Sequence, residues 1–317
     1  MLGAEAALRL RGHRPWDVGP LEVEVRPGGR FFVRHPTLGY AHIPGNFTVT
    51  LRHGYSFQVT HLANTLRITH PLATYPKSKP KDEIWVFGCS FTHGWSVNDD
   101  ETYAWLLQER LPQYEVVNYG VGGYGTIHAL IQLREEIAAG RIPRVVVVAY
   151  AGFHDERNTF LRGRRKDVAT GLKLGPVVQP YARLRGDTLM YSMAQVEYRE
   201  VPLMRVSALV HYLEKKFNYY QDRWLHSHRV SEALILEIAE LARVHEFKLV
   251  IATIDRSTAA KEMVAFARKH GIHAVDISVD LSLAENTNHP YDGHPSARAN
   301  REYADRLEPY LRSTVLK

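Results

Sequence analysis

Two short segments of this sequence carry residues that could act on each other. Ser90 lies in Gly88-Cys89-Ser90-Phe91-Thr92, and His294 lies in Asp292-Gly293-His294-Pro295. A serine hydroxyl is a poor nucleophile until a base takes its proton, and a neutral histidine is a suitable base. Asp292, two residues ahead of His294, can bond the other ring nitrogen and fix the tautomer. Ser90 follows the apolar run Ile84-Trp85-Val86-Phe87, which reads as a strand ending at Gly88. Cys89 is a rival nucleophile, since thiols are intrinsically more reactive. In extended chain its side chain points opposite to that of Ser90, so only one of the two can face a site.

Other motifs compete for the same chemistry. Gly-x-Ser-x-Gly, the nucleophile elbow, is absent because Thr92 stands where its second glycine belongs. Gly120-Val121-Gly122-Gly123-Tyr124-Gly125 satisfies Gly-x-Gly-x-x-Gly after a strand and before a helix. A dinucleotide site would also want an acid at the end of the next strand. That strand ends Val148-Ala149-Tyr150, with no acid before Asp155. The glycines therefore read as a loop that brings a backbone N–H close to a developing oxyanion. His226-Ser227-His228 has no acidic partner nearby in sequence, so it reads as solvated histidines, not metal ligands. No cofactor and no metal are expected.

The elements that must position these residues fall into two textures. Between residues 20 and 80, short alternating runs (21–25, 30–33, 47–51, 55–59 and 65–68) are separated by turn signals. They predict a small β-rich module, with 71–80 as a connector. From residue 83, strands and helices alternate. Strands are expected at 84–87, 116–118, 144–150, 249–254 and 274–277. A helix opens at Asn98-Asp99-Asp100-Glu101 as a capping box and stops at Pro112. Further helices are expected around 127–133, 229–245 and 257–270, and after Pro295. Residues 144–150 are apolar on both faces, so they belong inside a parallel sheet. Repeated βα units of this kind imply a doubly wound sheet, whose ligands bind at the carboxyl ends of its strands. Residues 151–227 interrupt the alternation as an insertion over that edge. It carries a polar, arginine-rich loop, a hairpin near 190–201 and a helix through Leu209, Tyr212, Leu213 and Phe217.

Composition excludes several alternatives. The chain has 317 residues, 45% hydrophobic and 23% charged, as in an ordinary globular protein. A net charge of +6 is mild, and no basic stripe interleaves with aromatics, so nucleic acid is not an expected partner. The short cluster Arg162, Arg164, Arg165, Lys166 reads as a solvated loop. One cysteine rules out an intrachain disulfide framework. No apolar run reaches transmembrane length, so no membrane insertion is expected. If residue 1 is the native start the protein is expected in the cytoplasm, and otherwise outside it or in the periplasm. Oligomeric state is not readable.

Taken together, the chemistry-bearing segments resemble the blocks of the SGNH (GDSL-type) hydrolase superfamily over roughly residues 83–310, less the insertion. Gly88-Cys89-Ser90 matches the first block, with Cys89 where the family usually has Asp. Asn118-Tyr119-Gly120-Val121-Gly122-Gly123 matches the second, Gly152-Phe153-His154-Asp155 the third, and Asp292-Gly293-His294-Pro295 the last. The resemblance favours Ser90 over Cys89. It implies a flavodoxin-like three-layer α/β/α sandwich with a five-stranded parallel sheet, following the small N-terminal β-rich module. It divides the chain into 1–80 (module and linker) and 81–317 (hydrolase). It also implies an oxyanion hole from Ser90 N–H, Gly123 N–H and a third donor at His154, where the family has asparagine. Asn158 is the fallback for that donor. The implied activity is hydrolysis of a short acyl or acetyl ester, on a carbohydrate or small metabolite, through an acyl-serine. Acyl transfer to an alcohol at the same Ser-His site, or a binding protein with a degenerate site, are the alternatives.

Overall fold

The computed structural model describes residues 2–17, 23–74, 82–171 and 174–317. Its centre is a parallel sheet of five strands: β6 (Glu83–Phe87), β7 (Glu115–Asn118), β8 (Val145–Tyr150), β11 (Lys248–Thr253) and β12 (His273–Asp276). They run in the order β12-β11-β8-β6-β7. Numbered within the sheet, that order is 5-4-3-1-2, the flavodoxin-like arrangement with its switch point between the first and third strands. The middle strand β8 is buried at all six positions, as its two-faced apolar sequence requires. Burying each such valine stabilises the fold by about 1.5–3 kcal/mol. Successive side chains supply separate cores. Trp85, Phe87, Val146, Val148 and Ile251 pack under α4 (Thr126–Ala138), α8 (Ser227–His245) and α9 (Thr258–Lys269). Ile84, Val86, Val147, Val250 and Ala252 pack under α3 (Tyr103–Arg110) and α10 (Ala297–Tyr310).

Ahead of the sheet, α1 (Leu2–Leu10) is followed by β1 (Glu24–Arg26), β2 (Phe32–His35), β3 (Gly39–His42), β4 (Gly45–Thr50) and β5 (Ser56–His61). β1, β4 and β5 form one antiparallel sheet, and β2 and β3 form a hairpin. Phe31, Phe47, Val49, Phe57 and Val59 give this module its own core. The run expected as a strand at 65–68 contributes only single-residue bridges, His61 to Arg67 and Arg67 to Asn118, because Arg67 turns inward. Its guanidinium is fully buried and donates to the carbonyls of Gln58, His93, Gly94 and Val97 and to Asp99. One side chain thus ties the module to the chain just after β6. Leu21 and Glu22 of the expected first strand, residues 75–80 of the expected connector, and the expected 80/81 boundary lie outside the described residues.

Two local expectations change. The helix expected from Asn98 is broken: Asn98 and Glu101 do form a capping box, but on a single 3₁₀ turn. Thr102 then returns to extended geometry and caps α3 afresh, accepting from Trp105 N–H. The hairpin of the insertion lies earlier than expected, as β9 (Val178–Arg185) and β10 (Thr188–Gln195). Its turn is Gly186-Asp187, with Gly186 at φ +61°, a signature of tight hairpins. The arginine-rich segment is not a loop. After α5 (His154–Asn158) it forms α6 (Arg162–Gly171), and α7 (Ala208–Trp224) follows the hairpin. Among the described residues, no helix is long and apolar enough to cross a membrane. The strands β13 (Thr287–Asn288) and β14 (Asp292–Pro295) form a short antiparallel pair just before α10.

Candidate active site

Ser90 opens a one-turn helix, α2 (Ser90–His93), directly at the carboxyl end of β6. It stands at the switch point, and 9% of its surface is exposed. Glycine is required on both sides of this turn. A Cβ at Gly88 would strike the Thr92 side chain, and one at Gly120 would strike the backbone of Thr92 and His93. Asn118 holds the two loops together: its Nδ2 donates to Thr92 O and its Oδ1 accepts from Gly120 N–H. Cys89 is fully buried in the core on the α3/α10 side. The structure therefore gives the cleft to Ser90.

His294 reaches Ser90 across 204 residues of sequence, with Nε2 2.9 Å from Ser90 Oγ. Its Nδ1 lies 2.5 Å from Asp292 Oδ1. Since Nδ1 donates to that carboxylate, Nε2 presents its lone pair to the serine hydroxyl. The two-residue spacing of Asp292 and His294 has a local explanation. Asp292 folds back in an Asx turn, so the same Oδ1 also accepts the His294 backbone N–H at 2.6 Å. Trp95 Nε1 donates to the other carboxylate oxygen at 3.1 Å. Burial alone would raise the Asp292 pKa, but these hydrogen bonds outweigh it and hold the carboxyl below its ordinary value. Asn288, on the strand paired to β14, donates to Ser96 O and so fixes this hairpin beside the chain that follows α2.

Two backbone N–H groups that could receive a developing negative charge belong to Ser90 itself and to Gly123, both of which line the cleft. Ser90 N–H is at the first position of a helix, where no intrahelical partner exists. Gly123 has φ +82°, and its N–H has no partner among the described residues. The peptide joining Gly122 and Gly123 is held by Tyr40, whose hydroxyl donates to Gly122 O at 2.8 Å. Carbonyl and N–H of one planar trans peptide point opposite ways. Pinning the carbonyl therefore fixes the direction of Gly123 N–H. Tyr40 comes from β3 of the N-terminal module, and Tyr124 Oη donates back to Tyr40 O.

The third donor is not where the sequence placed it. His154 is buried against Tyr150 and Phe153, its Nδ1 faces Ala151 N–H, and it does not line the cleft. The Asn158 side chain is occupied at both ends, accepting from Ile127 N–H and donating to Ser231 Oγ. The group from this segment that does line the cleft is Arg157, one helical turn beyond His154. Arg157 Nη1 donates to Tyr124 O at 3.0 Å, and its guanidinium lies 4.3 Å from the centroid of the Phe153 ring. The one available signal was its place in α5, a turn from the third block. Arg164, expected on a solvated loop, also faces the cleft and donates to Gly123 O.

Together these residues bound a cleft of ≈ 970 Å³. One wall carries Ser90, His294, Trp95, Gly122 and Gly123. The other carries Phe31, Phe32, Val33 and Arg34 of the N-terminal module with Arg157, Arg164, Val168 and Leu174 of the insertion. Arg34 bridges the two parts of that second wall by donating twice to Leu174 O. Behind it, His42, His61 and His93 bring ring nitrogens within 4.8 Å of one another. The His42 and His61 rings are stacked at 4.2 Å and 11°. The His93 ring is tilted to both, by 37° to His42 and 47° to His61, and its Nε2 lies 2.9 Å from His61 Nε2. Burial holds all three below the ordinary histidine pKa, His61 at about 3. The cluster is a stack of neutral rings that packs the module onto α2. His228, the second histidine of the His226-Ser227-His228 run, faces Asp155 with Nδ1 2.9 Å from Oδ2.

No family model and no curated protein matches this chain. Solved structures similar to it include a member of the lipolytic protein G-D-S-L family from Veillonella parvula DSM 2008, at 15% identity and TM-score 0.40, covering 73% of this chain and 97% of that one. A carbohydrate acetylesterase family member from Sinorhizobium meliloti gives 11% and 0.40, covering 74% and 100%. The psychrotrophic esterase EstA from Pseudoalteromonas sp. gives 10% and 0.40, covering 75% and 100%. The flavodoxin-like fold itself is given by the strand order of the sheet.

Proposed function

We propose that this protein is a serine ester hydrolase that removes an acetyl or other short acyl group from a carbohydrate or small metabolite. The observation that carries this reading is the relay Ser90 Oγ to His294 Nε2 at 2.9 Å and His294 Nδ1 to Asp292 at 2.5 Å. Ser90 Oγ attacks the ester carbonyl carbon as His294 takes its proton. Asp292 offsets the imidazolium charge. The tetrahedral oxyanion accepts from Ser90 N–H and Gly123 N–H. His294 then protonates the leaving alcohol oxygen as the C–O bond breaks, and the acyl group stays on Ser90. Water attacks the acyl-serine as His294 takes its proton. The second tetrahedral intermediate then collapses, the bond from the acyl carbon to Ser90 Oγ breaks, His294 returns the proton to Oγ, and the carboxylic acid leaves. The open cleft and its Phe31–Phe32 wall support an alcohol portion the size of a sugar.

The test combines an activated acetyl ester with a serine-directed fluorophosphonate. Turnover together with labelling at Ser90 supports the hydrolase. Labelling with turnover only after an alcohol is added would move the reading to an acyltransferase. Absence of both would leave a binding protein.

A further inference from the structure

The charges lining the cleft are lopsided. Arg30, Arg34, Arg157 and Arg164 face a single carboxylate, Asp167. Arg157 and Arg164 are the two that reach the Gly123 loop, and neither has a carboxylate within ion-pair distance among the described residues. Their bonds go instead to the carbonyls of Tyr124 and Gly123, the Tyr40 hydroxyl and the Phe153 ring, with the buried Cys89 thiol also beside Arg157. Burial works against the charge on Arg157. Elsewhere the fold does answer a buried guanidinium, since Arg67 is paired with Asp99 at 2.9 Å. Asp167 and Glu156 are the nearest carboxylates and act on these guanidinium groups only beyond ion-pair distance. A cation partly withdrawn from water and without a direct partner attracts an anion more strongly than one in open solvent. Each guanidinium carries five donors in a planar fork suited to a carboxylate or phosphate. Arg157 and Arg164 have hydrogen-bonded only part of that set.

We propose that the cleft selects an ester that itself bears an anionic oxygen group, such as a carboxylate, and that Arg157 and Arg164 hold that group while Ser90 acts on the ester. This inference deepens the hydrolase reading and rests on it. The anionic group can belong to the acyl part or to the alcohol part.

Three aryl esters separate these cases: phenyl acetate (neutral), 3-acetoxybenzoate (anionic alcohol part) and monophenyl succinate (anionic acyl part). At low ionic strength, kcat/KM for at least one anionic ester is expected to exceed that for phenyl acetate by about tenfold or more. Raising the salt to 0.5 M should shrink the ratio. Arg164→Gln should bring it close to one, and Arg164→Lys, which keeps the charge but loses the fork, should give an intermediate ratio. Equal or faster turnover of phenyl acetate at low salt overturns the proposal and leaves the hydrolase standing. A Gln variant that keeps the parent's ratio overturns it as well. If none of the esters turns over but Ser90 is still labelled by the fluorophosphonate, protection by succinate is compared with protection by succinamide. Stronger protection by succinate supports the proposal, and equal protection overturns it. No turnover and no labelling removes the hydrolase reading, and this inference goes with it.

Discussion

The two walls of the cleft are built by different means. On the Ser90 wall, Ser90 and Gly122-Gly123 follow the ends of the neighbouring parallel strands β6 and β7, and His294 is added from the β13–β14 pair. The facing wall is gathered from the β2–β3 hairpin and, more than a hundred residues later, from α5 and α6, and is held by side-chain bonds from Tyr40, Arg34 and Arg164. The first wall is specified by backbone geometry. The second depends on packing, and so it can be weakened without dismantling the sheet.

Substitutions can be ranked by how sharply they expose that contrast. Ser90→Ala should abolish fluorophosphonate labelling and lower kcat by about 10⁴-fold or more, with the urea midpoint little changed. Asp292→Asn keeps the shape but frees the wrong tautomer, for an expected loss in kcat of about 10³–10⁴-fold. Gly123→Ala strikes both walls at once. Its Cβ would come within 2.5 Å of Arg164 Nη2 and Tyr40 Oη, at a φ of +82°. A drop in kcat of about 10²–10³ is expected from the displaced donor. A drop confined to KM would show that Gly123 belongs to binding alone.

Acid should act on the packed wall first. Burial keeps His42 and His93 well below the ordinary histidine pKa, and His61 at about 3. Below about pH 6.5 the unfolded chain takes up protons that the folded protein refuses. Stability therefore falls as pH drops from about 6.5 towards 3, by up to roughly 1.4 kcal/mol per pH unit for each such histidine. The Tm should decline between pH 7 and 5, and His42→Phe should flatten that slope. A slope unchanged in the variant would mean that His42 does not contribute. The smallest effect expected is that of Tyr40→Phe, which frees the Gly122 carbonyl and should lower kcat by about five- to tenfold. A matching change in KM alone would count against the positioning role.

How far the sequence could be read follows the same division. The run at 145–150 announced a buried central strand because its valines have no polar face to offer. Ser90, Asp292 and His294 were legible because their neighbours in sequence set their geometry. At His154 a motif position does not fix a side-chain direction. One turn of α5 decides that direction, and there Arg157 takes the cleft while His154 is buried. The role of Arg164 had no local signal at all, since its contact with Gly123 spans 41 residues. The hairpin lies at 178–195, not near 190–201, because Gly186-Asp187 is its turn, a short signal among the polar residues of the insertion.

Arg67 carries a further consequence. It joins the carbonyls at the end of the helix that Ser90 opens to the carbonyl of Gln58 in the N-terminal module. Release of the module would therefore unmoor Ser90 as well as Gly123, even with every strand of the central sheet still paired. Catalytic rate then becomes a gauge of that docking. During slow heating, turnover should fade before the helical signal does, and the gap between the two curves measures how tightly the front of the molecule is fastened to its back.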